Sequence, residues 1–311
     1  MALYRILTIA ENTYREAVRA KILHGLIALA VGTSGYSLVV GAYALGNQKK
    51  VVSDLGAASI SLYSIVVAII LGATSLYREL ELKTLFPILA RPIERWEYLA
   101  GKYLGTLLVL VAFIGLNSGL LLFAVAGIDT RSVSLSLLLP AVQIGIALLV
   151  GWRVPRMRTW LPLPLAVLLV ATGAWFAADA VTERAVILGQ GLFTTLEVSI
   201  VTCLCLVFAA FSSPFLTGVF TISVFLVGRS ADTLARLPEV MFGPTIKQVG
   251  LFLSYVFPNL MVYVPARELL IGEAAGVSLT LHAVFAALQA ASWSLGLLTL
   301  AALIFRRRDF L

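Results

Sequence analysis

The chain has 311 residues, of which 60% are hydrophobic and only 13% charged, and its mean hydropathy is +0.99. Soluble globular chains carry about 25% charged residues, so this one cannot cover itself in water, and a soluble enzyme or binding domain is excluded. Its net charge of +7 sits in short segments beside apolar runs, which points to membrane topology and away from nucleic acid as a partner.

Apolar runs of about 20 residues match the bilayer core, where only helices or closed barrels satisfy their backbone. The runs here are continuous rather than alternating, so they predict helices. The chain opens with an amphipathic segment, 1–21. Leu3, Ile6, Leu7, Ala10, Tyr14, Ala17 and Val18 recur at helical spacing, and Arg5, Thr8, Asn12, Arg15, Glu16 and Arg19 fall on the other side. It is expected to lie flat in the membrane interface. Glu11, Glu16 and the lack of a short apolar stretch with a cleavage site distinguish it from a signal peptide.

Eight spans follow: 22–45, 57–77, 103–127, 134–152, 160–180, 187–211, 214–228 and 277–305. The seventh is short and can extend past Arg229. An even number returns both termini to one side. The internal segments are then 1–21, 78–102, 153–159 (RVPRMRT) and 306–311, and they hold 15 of the 23 Lys and Arg. By the positive-inside rule both termini are cytoplasmic. Residues 229–276 are read as an external segment of short helices against the membrane. Its stretch 249–265 either spans or re-enters, because Pro258 and Asn259 interrupt the apolar run LFLSYVFPNLMVYVP. No repeat or soluble unit is visible, so residues 1–311 form a single polytopic membrane domain.

One stretch breaks the pattern. Residues 77–102 read YRELELKTLFPILARPIERWEYLAGK, with nine charged positions from Arg78 to Lys102. Pro87 and Pro92 interrupt any helix there and leave an elbow. Mixed charge and an apolar side (Leu82, Leu85, Phe86, Ile88, Leu89) suit a rigid element that meets another protein. They suit equally an interfacial loop that anchors two spans.

This stretch resembles the cytoplasmic segment after the second span in type-2 ABC transporter permeases (the ABC-2 family), above all the branch associated with multicopper-enzyme maturation. The amphipathic start RILTIAENTYREAVRAKIL, the external YVFPNL and the terminal FRRRDF are similar too. The resemblance implies an all-α integral membrane protein: an N-terminal interface helix and a six-span permease core, here with an extra helix pair, 134–152 and 160–180. It implies that 78–102 is a coupling segment docking on a separate ABC ATPase subunit. Arg78, Glu79, Glu81, Lys83, Arg91, Glu94, Arg95 and Glu97 would form the charged seat, and Trp96 an anchor. It further implies a second permease copy, as homo- or heterodimer, in a bacterial or archaeal cytoplasmic (inner) membrane. The chain is then an exporter subunit with no ATPase site and no cofactor of its own, ATP and Mg being held by the partner. The sequence agrees, since no G-x-x-x-x-G-K-[ST] occurs and the nearest fragment, AGKYLG, has Tyr103 after the lysine.

Within the spans, Glu197 is the one clear acid, and charge in lipid usually faces a cavity or a partner. It is a candidate for the translocation path. Against that stands a hydrated place near the outer end of its helix, or a bond to Thr194 or another span. Asn117, a second path candidate, reads equally as a helix–helix hydrogen-bond partner, as does Gln143. Asp179 is expected at the outer surface. Gly101, Gly105, Ala112, Gly115 and Gly119 fall on one side of the third span and form a candidate packing face, toward their own protomer or the other. His24 and His282 lack neighbours at metal-ligand spacing and read as interface or packing residues. Cys203 and Cys205 read as small core residues. A proton-coupled secondary transporter needs more ionisable groups in its spans and repeated halves. An integral-membrane enzyme needs a polar cluster at one face. Neither pattern is visible. Copper-related, antibiotic, polysaccharide and lipid cargos are all compatible with the spans.

Overall fold

The computed structural model describes residues 2–44, 46–81, 94–129, 133–236, 239–274 and 276–307. Among them no strand occurs. In chain order the helices are α1 (Ala2–Val18), α2 (Lys21–Ala42), α3 (Gln48–Glu81), α4 (Arg95–Asp129), α5 (Val133–Arg153), α6 (Pro162–Phe176), α7 (Val181–Ala209), α8 (Pro214–Ala235), α9 (Glu239–Val256), α10 (Arg267–Leu270) and α11 (Leu279–Arg307). Seven of these (α2, α3, α4, α5, α7, α8 and α11) are long and apolar enough to cross a membrane.

Close approaches fix the helix directions. A Cβ on Gly56 of α3 would meet Leu121 of α4, while Lys102 of α4 reaches the Ser75 carbonyl of α3. The two helices therefore run antiparallel. Gly72 of α3 sits against Cys205 of α7, and Arg267 joins Asp54 of α3 to Glu183 of α7, so α3 and α7 run parallel. On α6, Ala166 and Leu169 lie over Gly115 and Gly119 of α4, again parallel. Glu197 of α7 meets Arg229 of α8, and Thr221 of α8 meets Cys205, which makes that pair antiparallel. Phe193 and Ser199 of α7 meet His282 and Ser294 of α11 in parallel order. The directions thus alternate from α2 through α8, and α11 runs opposite to α8. That is the alternation of seven helices long enough to span, with the shorter α6 among them.

One of the eight expected spans is shorter than the sequence suggests and is not among the seven long enough to cross. The span expected over 160–180 is a 15-residue helix, Pro162–Phe176. It rises about 22 Å at 1.5 Å per residue, less than the roughly 30 Å bilayer core. Pro155 and Pro162 explain the late start: turns fill residues 155–161, and Pro162 takes the first helical turn, where its missing N–H costs nothing. The seventh span differs the other way. Helix α8 does not stop at 228 but runs to Ala235, so residues 229–235 belong to it rather than to a separate segment. No residue in that stretch breaks a helix. Pro238 follows and disfavours helix in the residue before it.

Lipid tails are as apolar as leucine, so helices in a membrane associate through close fit rather than the hydrophobic effect. The small-residue face of α4 supplies that fit within the protomer. Gly101 and Gly105 take α1, where an added Cβ would lie 2.6 Å from Ile9 Cβ and 2.5 Å from the Ala10 carbonyl oxygen. Gly115 and Gly119 take α6, at 3.0 Å from Ala166 Cβ and 2.6 Å from Leu169 Cβ. Ala112, between the two pairs, is buried. Helix α1 is therefore clamped onto the bundle. Ile6, Ala10, Tyr14 and Ala17 are buried, Tyr14 stacks on Trp160 at 5.1 Å, and Leu3, Tyr4 and Leu7 remain exposed on the far side.

Between α8 and α11 the chain doubles back. Helix α9 lies antiparallel along α8, with Gly250 against Leu234 and Ala235 and the Pro258 carbonyl against Gly228. It ends at Val256, where Pro258 forbids continuation. Asn259 then caps a 3-10 turn over Leu260–Tyr263 by accepting a hydrogen bond from the Met261 amide. The break expected at Pro258 and Asn259 is thus where the helix stops.

Candidate functional site

Polar side chains gather at two opposite ends of the bundle. The first is the end where α4 begins. Glu97 sits in the first turn of α4, where negative charge complements the helix dipole. Its Oε2 accepts the backbone N–H of Glu94 at 3.2 Å, one half of a capping box. The same oxygen accepts from Arg5 Nη1 of α1 at 3.3 Å. A buried carboxylate needs such partners, and Glu97 is 3% exposed.

Arg95 points the other way along this end. Its Nη1 donates to the carbonyls of Phe305 (2.6 Å) and Arg306 (2.7 Å), two of the orphan acceptors at the end of α11. Its guanidinium also lies over the Phe305 ring, and Tyr98 stacks on that ring at 6.2 Å. Lys102, 1% exposed, lies over Tyr98 and donates to the Ser75 carbonyl near the end of α3 at 3.5 Å. The start of α4 therefore binds α1, α3 and α11 together. Trp96 and Glu94 turn outward, joined by a bond from the indole Nε1 to the Glu94 carboxylate, and Trp96 is 47% exposed.

The nine residues read as a partner's seat thus divide. Glu94 and Trp96 face out, whereas Arg95 and Glu97 are taken up inside the protomer. Arg78, Glu79 and Glu81 ride the last turns of α3, their side chains outside the described set, and Lys83 and Arg91 lie outside the described residues. Lys102 was not singled out by the sequence, and nothing in its spacing marks it as buried.

At the opposite end Arg267 of α10 ties three elements. Its Nη1 donates to Ser53 Oγ at 3.2 Å and to the Asp54 carboxylate, both on α3, and its Nη2 to Glu183 Oε1 of α7 at 3.4 Å. The three partners are more than 80 residues from Arg267, so no local pattern announces them. Asp179 is exposed at this end, as expected.

Within the bundle, Glu197 is fully buried and bound by Arg229 in a bidentate pair, Nε–Oε1 2.9 Å and Nη2–Oε2 2.8 Å. Arg229 also lies over the Phe225 ring at 5.2 Å. Asn117 is buried too, but its Nδ2 donates to the Phe113 carbonyl of its own helix at 2.8 Å. Gln143 does join two helices, donating to Thr172 Oγ1 of α6 at 3.1 Å. His24 and His282 bond to backbone carbonyls, of Ala20 and Val262. Cys203 and Cys205 are buried free thiols.

The family model of the ABC-2 family transporter proteins matches residues 7–310. The chain belongs to that family: it is an all-α, multi-pass transmembrane permease, the kind of subunit that works with an ABC ATPase. Searches of the curated proteins and of the solved structures returned no match.

Proposed function

We propose that the chain is the membrane subunit of an ATP-driven exporter, and that segment 78–102 is the seat of a separate ATPase that holds ATP and Mg. In this reading two permease copies work together in a cytoplasmic membrane, with both termini on the ATPase side. One observation carries it: the start of α4 grips α11 through Arg95 and α1 through Glu97. A push on the segment leading into α4 is therefore handed to the interface helix and the last span as one rigid body. Docking and transmission fall to different residues. Trp96 and Glu94 face outward to a partner, and Arg95 and Glu97 pass its motion inward. Glu197 is neutralised by Arg229 in a bidentate ion pair, which suits a structural role for this acid better than a proton-carrying one and so favours nucleotide over proton drive.

Co-purification of the ATPase with the tagged permease tests this division. Trp96→Ala combined with Arg91→Glu should reduce the bound ATPase at least about tenfold, as loss of an aromatic hot spot does. Arg95→Ala should leave the complex intact but uncouple its ATP hydrolysis from transport. Unchanged recovery of the ATPase with the double variant would refute the docking role.

A further inference from the structure

The turn that joins α5 to α6 carries charge that nothing among the described residues answers. From Val133 to Ala178 the sequence holds no Asp or Glu, yet Arg153, Arg156 and Arg158 stand within six residues of one another. All three are exposed, and among the described residues none is in an ion pair. The elements packed beside the turn do not offset them. Helix α6 and the stretch of α4 from Tyr103 to Gly127 are uncharged. On α1, Glu11 is taken by Arg15, whose guanidinium lies over the Trp160 ring at 5.9 Å, and Glu16 is outnumbered by Arg19 and Lys21.

The turn is ordered and stands at headgroup height. Gly127 of α4 faces Ser136 near the start of α5, so Arg153 lies at the end of the bundle where α4 begins. Helix α5 rises about 30 Å from Val133 to Arg153 at 1.5 Å per residue, the thickness of the bilayer core. Backbone bonds from Val154 to the Val150 carbonyl, from Met157 to Val154, from Arg158 to Pro155 and from Trp160 to Met157 hold the turn in place. Trp152, Val154 and Met157 are exposed beside the arginines, and Leu148 and Leu149 are exposed one turn further into the bilayer. Leu148 and Trp152, like Leu149 and Arg153, are four residues apart and share a face. The Arg153 guanidinium lies over the Trp152 ring at 5.7 Å. An acidic protein would meet the charges, but not the apolar stripe that continues from them into lipid.

We propose that this turn and the last turns of α5 seat an anionic phospholipid of the leaflet at the end where α4 begins. The phosphodiester accepts N–H bonds from the guanidinium groups of the turn, and the acyl chains lie along Trp152, Leu148 and Leu149. A zwitterionic headgroup brings an ammonium that finds three like charges and no carboxylate on the turn, so it is disfavoured. The inference stands apart from ATPase docking, and its test needs no ATPase.

The purified chain, delipidated in detergent and offered equal amounts of phosphatidylglycerol and phosphatidylcholine, is read by native mass spectrometry. Each basic residue near an anionic lipid surface is worth roughly a fivefold change in binding. Phosphatidylglycerol should therefore be retained at least about twentyfold over phosphatidylcholine, and Arg156→Gln with Arg158→Gln should cut that preference about twentyfold. Arg156→Lys with Arg158→Lys keeps the charge and should keep the preference. Arg236→Gln removes an exposed arginine of α8's end, already paired with Asp232, and should leave it unchanged. Free glycerol phosphate at equal concentration should not displace the lipid, because it lacks the chains that follow α5. Equal retention of the two lipids, a preference unmoved by the glutamine pair, an equal loss with the lysine pair or with Arg236→Gln, or displacement by glycerol phosphate would each overturn the assignment. A glutamine pair that spares lipid retention but lowers recovery of the ATPase would make the turn a protein seat and count equally against it.

Discussion

Glu97 shows how a charged residue in a greasy protein earns its place. A solvated loop needs no buried carboxylate, yet this one is shielded and answered by an arginine on another helix and by its own helix start. Glu197 repeats the logic inside the bundle, where each ion costs several kcal/mol to desolvate unless paired. Truncating one member strands the other. Glu197→Ala should therefore cost about 3 kcal/mol of stability, whereas Glu197→Leu with Arg229→Met should cost distinctly less, as judged by unfolding in detergent monitored through tryptophan fluorescence. Equal loss from both would mean that the pair is held by its surroundings rather than by its charges. The sequence marks Glu197 as unusual but not Arg229 as its partner, because the apolar run ends one residue before the arginine. Only the helix running on to Ala235 brings the two together.

At the scale of the element, the apolar runs and prolines were readable because they act locally. Run length places the spans, and Pro258 stops α9. The ends were less readable: α3 begins at Gln48 and α4 at Arg95, several residues outside their apolar stretches, since a helix continues through polar residues once it leaves lipid. The face of α4 was legible as a stripe of small residues, but not what covers it, because the same stripe serves equally inside or between protomers. The structure sets α1 and α6 there. Gly119→Ala should then cost about 1–3 kcal/mol by overpacking against Leu169. Gly32→Ala on α2, where a new Cβ meets nothing within 4 Å, should instead gain up to about 1 kcal/mol in helix propensity. Similar unfolding midpoints for both variants would show that α6 yields freely and does not depend on this contact.

Across the whole molecule, two polar ends cap an apolar middle. At one, α1, α3, α4 and α11 converge, and at the other Arg267 joins α3 and α7. Such an arrangement is expected of a bundle that one partner moves from one side. The native thiols are buried, so single cysteines introduced near Arg156 and near Asp232 report sidedness without interference. In whole cells the first should resist a membrane-impermeant maleimide and the second should react, and the reverse pattern would invert the proposed topology. The most direct test of the central claim is photo-crosslinking in membranes, with a photoreactive residue at Trp96 or at Tyr43, which is 83% exposed beyond the far end of α2. An adduct with the ATPase from position 96 and none from position 43 is the result expected of a seat at the start of α4. An adduct from position 43 with none from position 96 would contradict it.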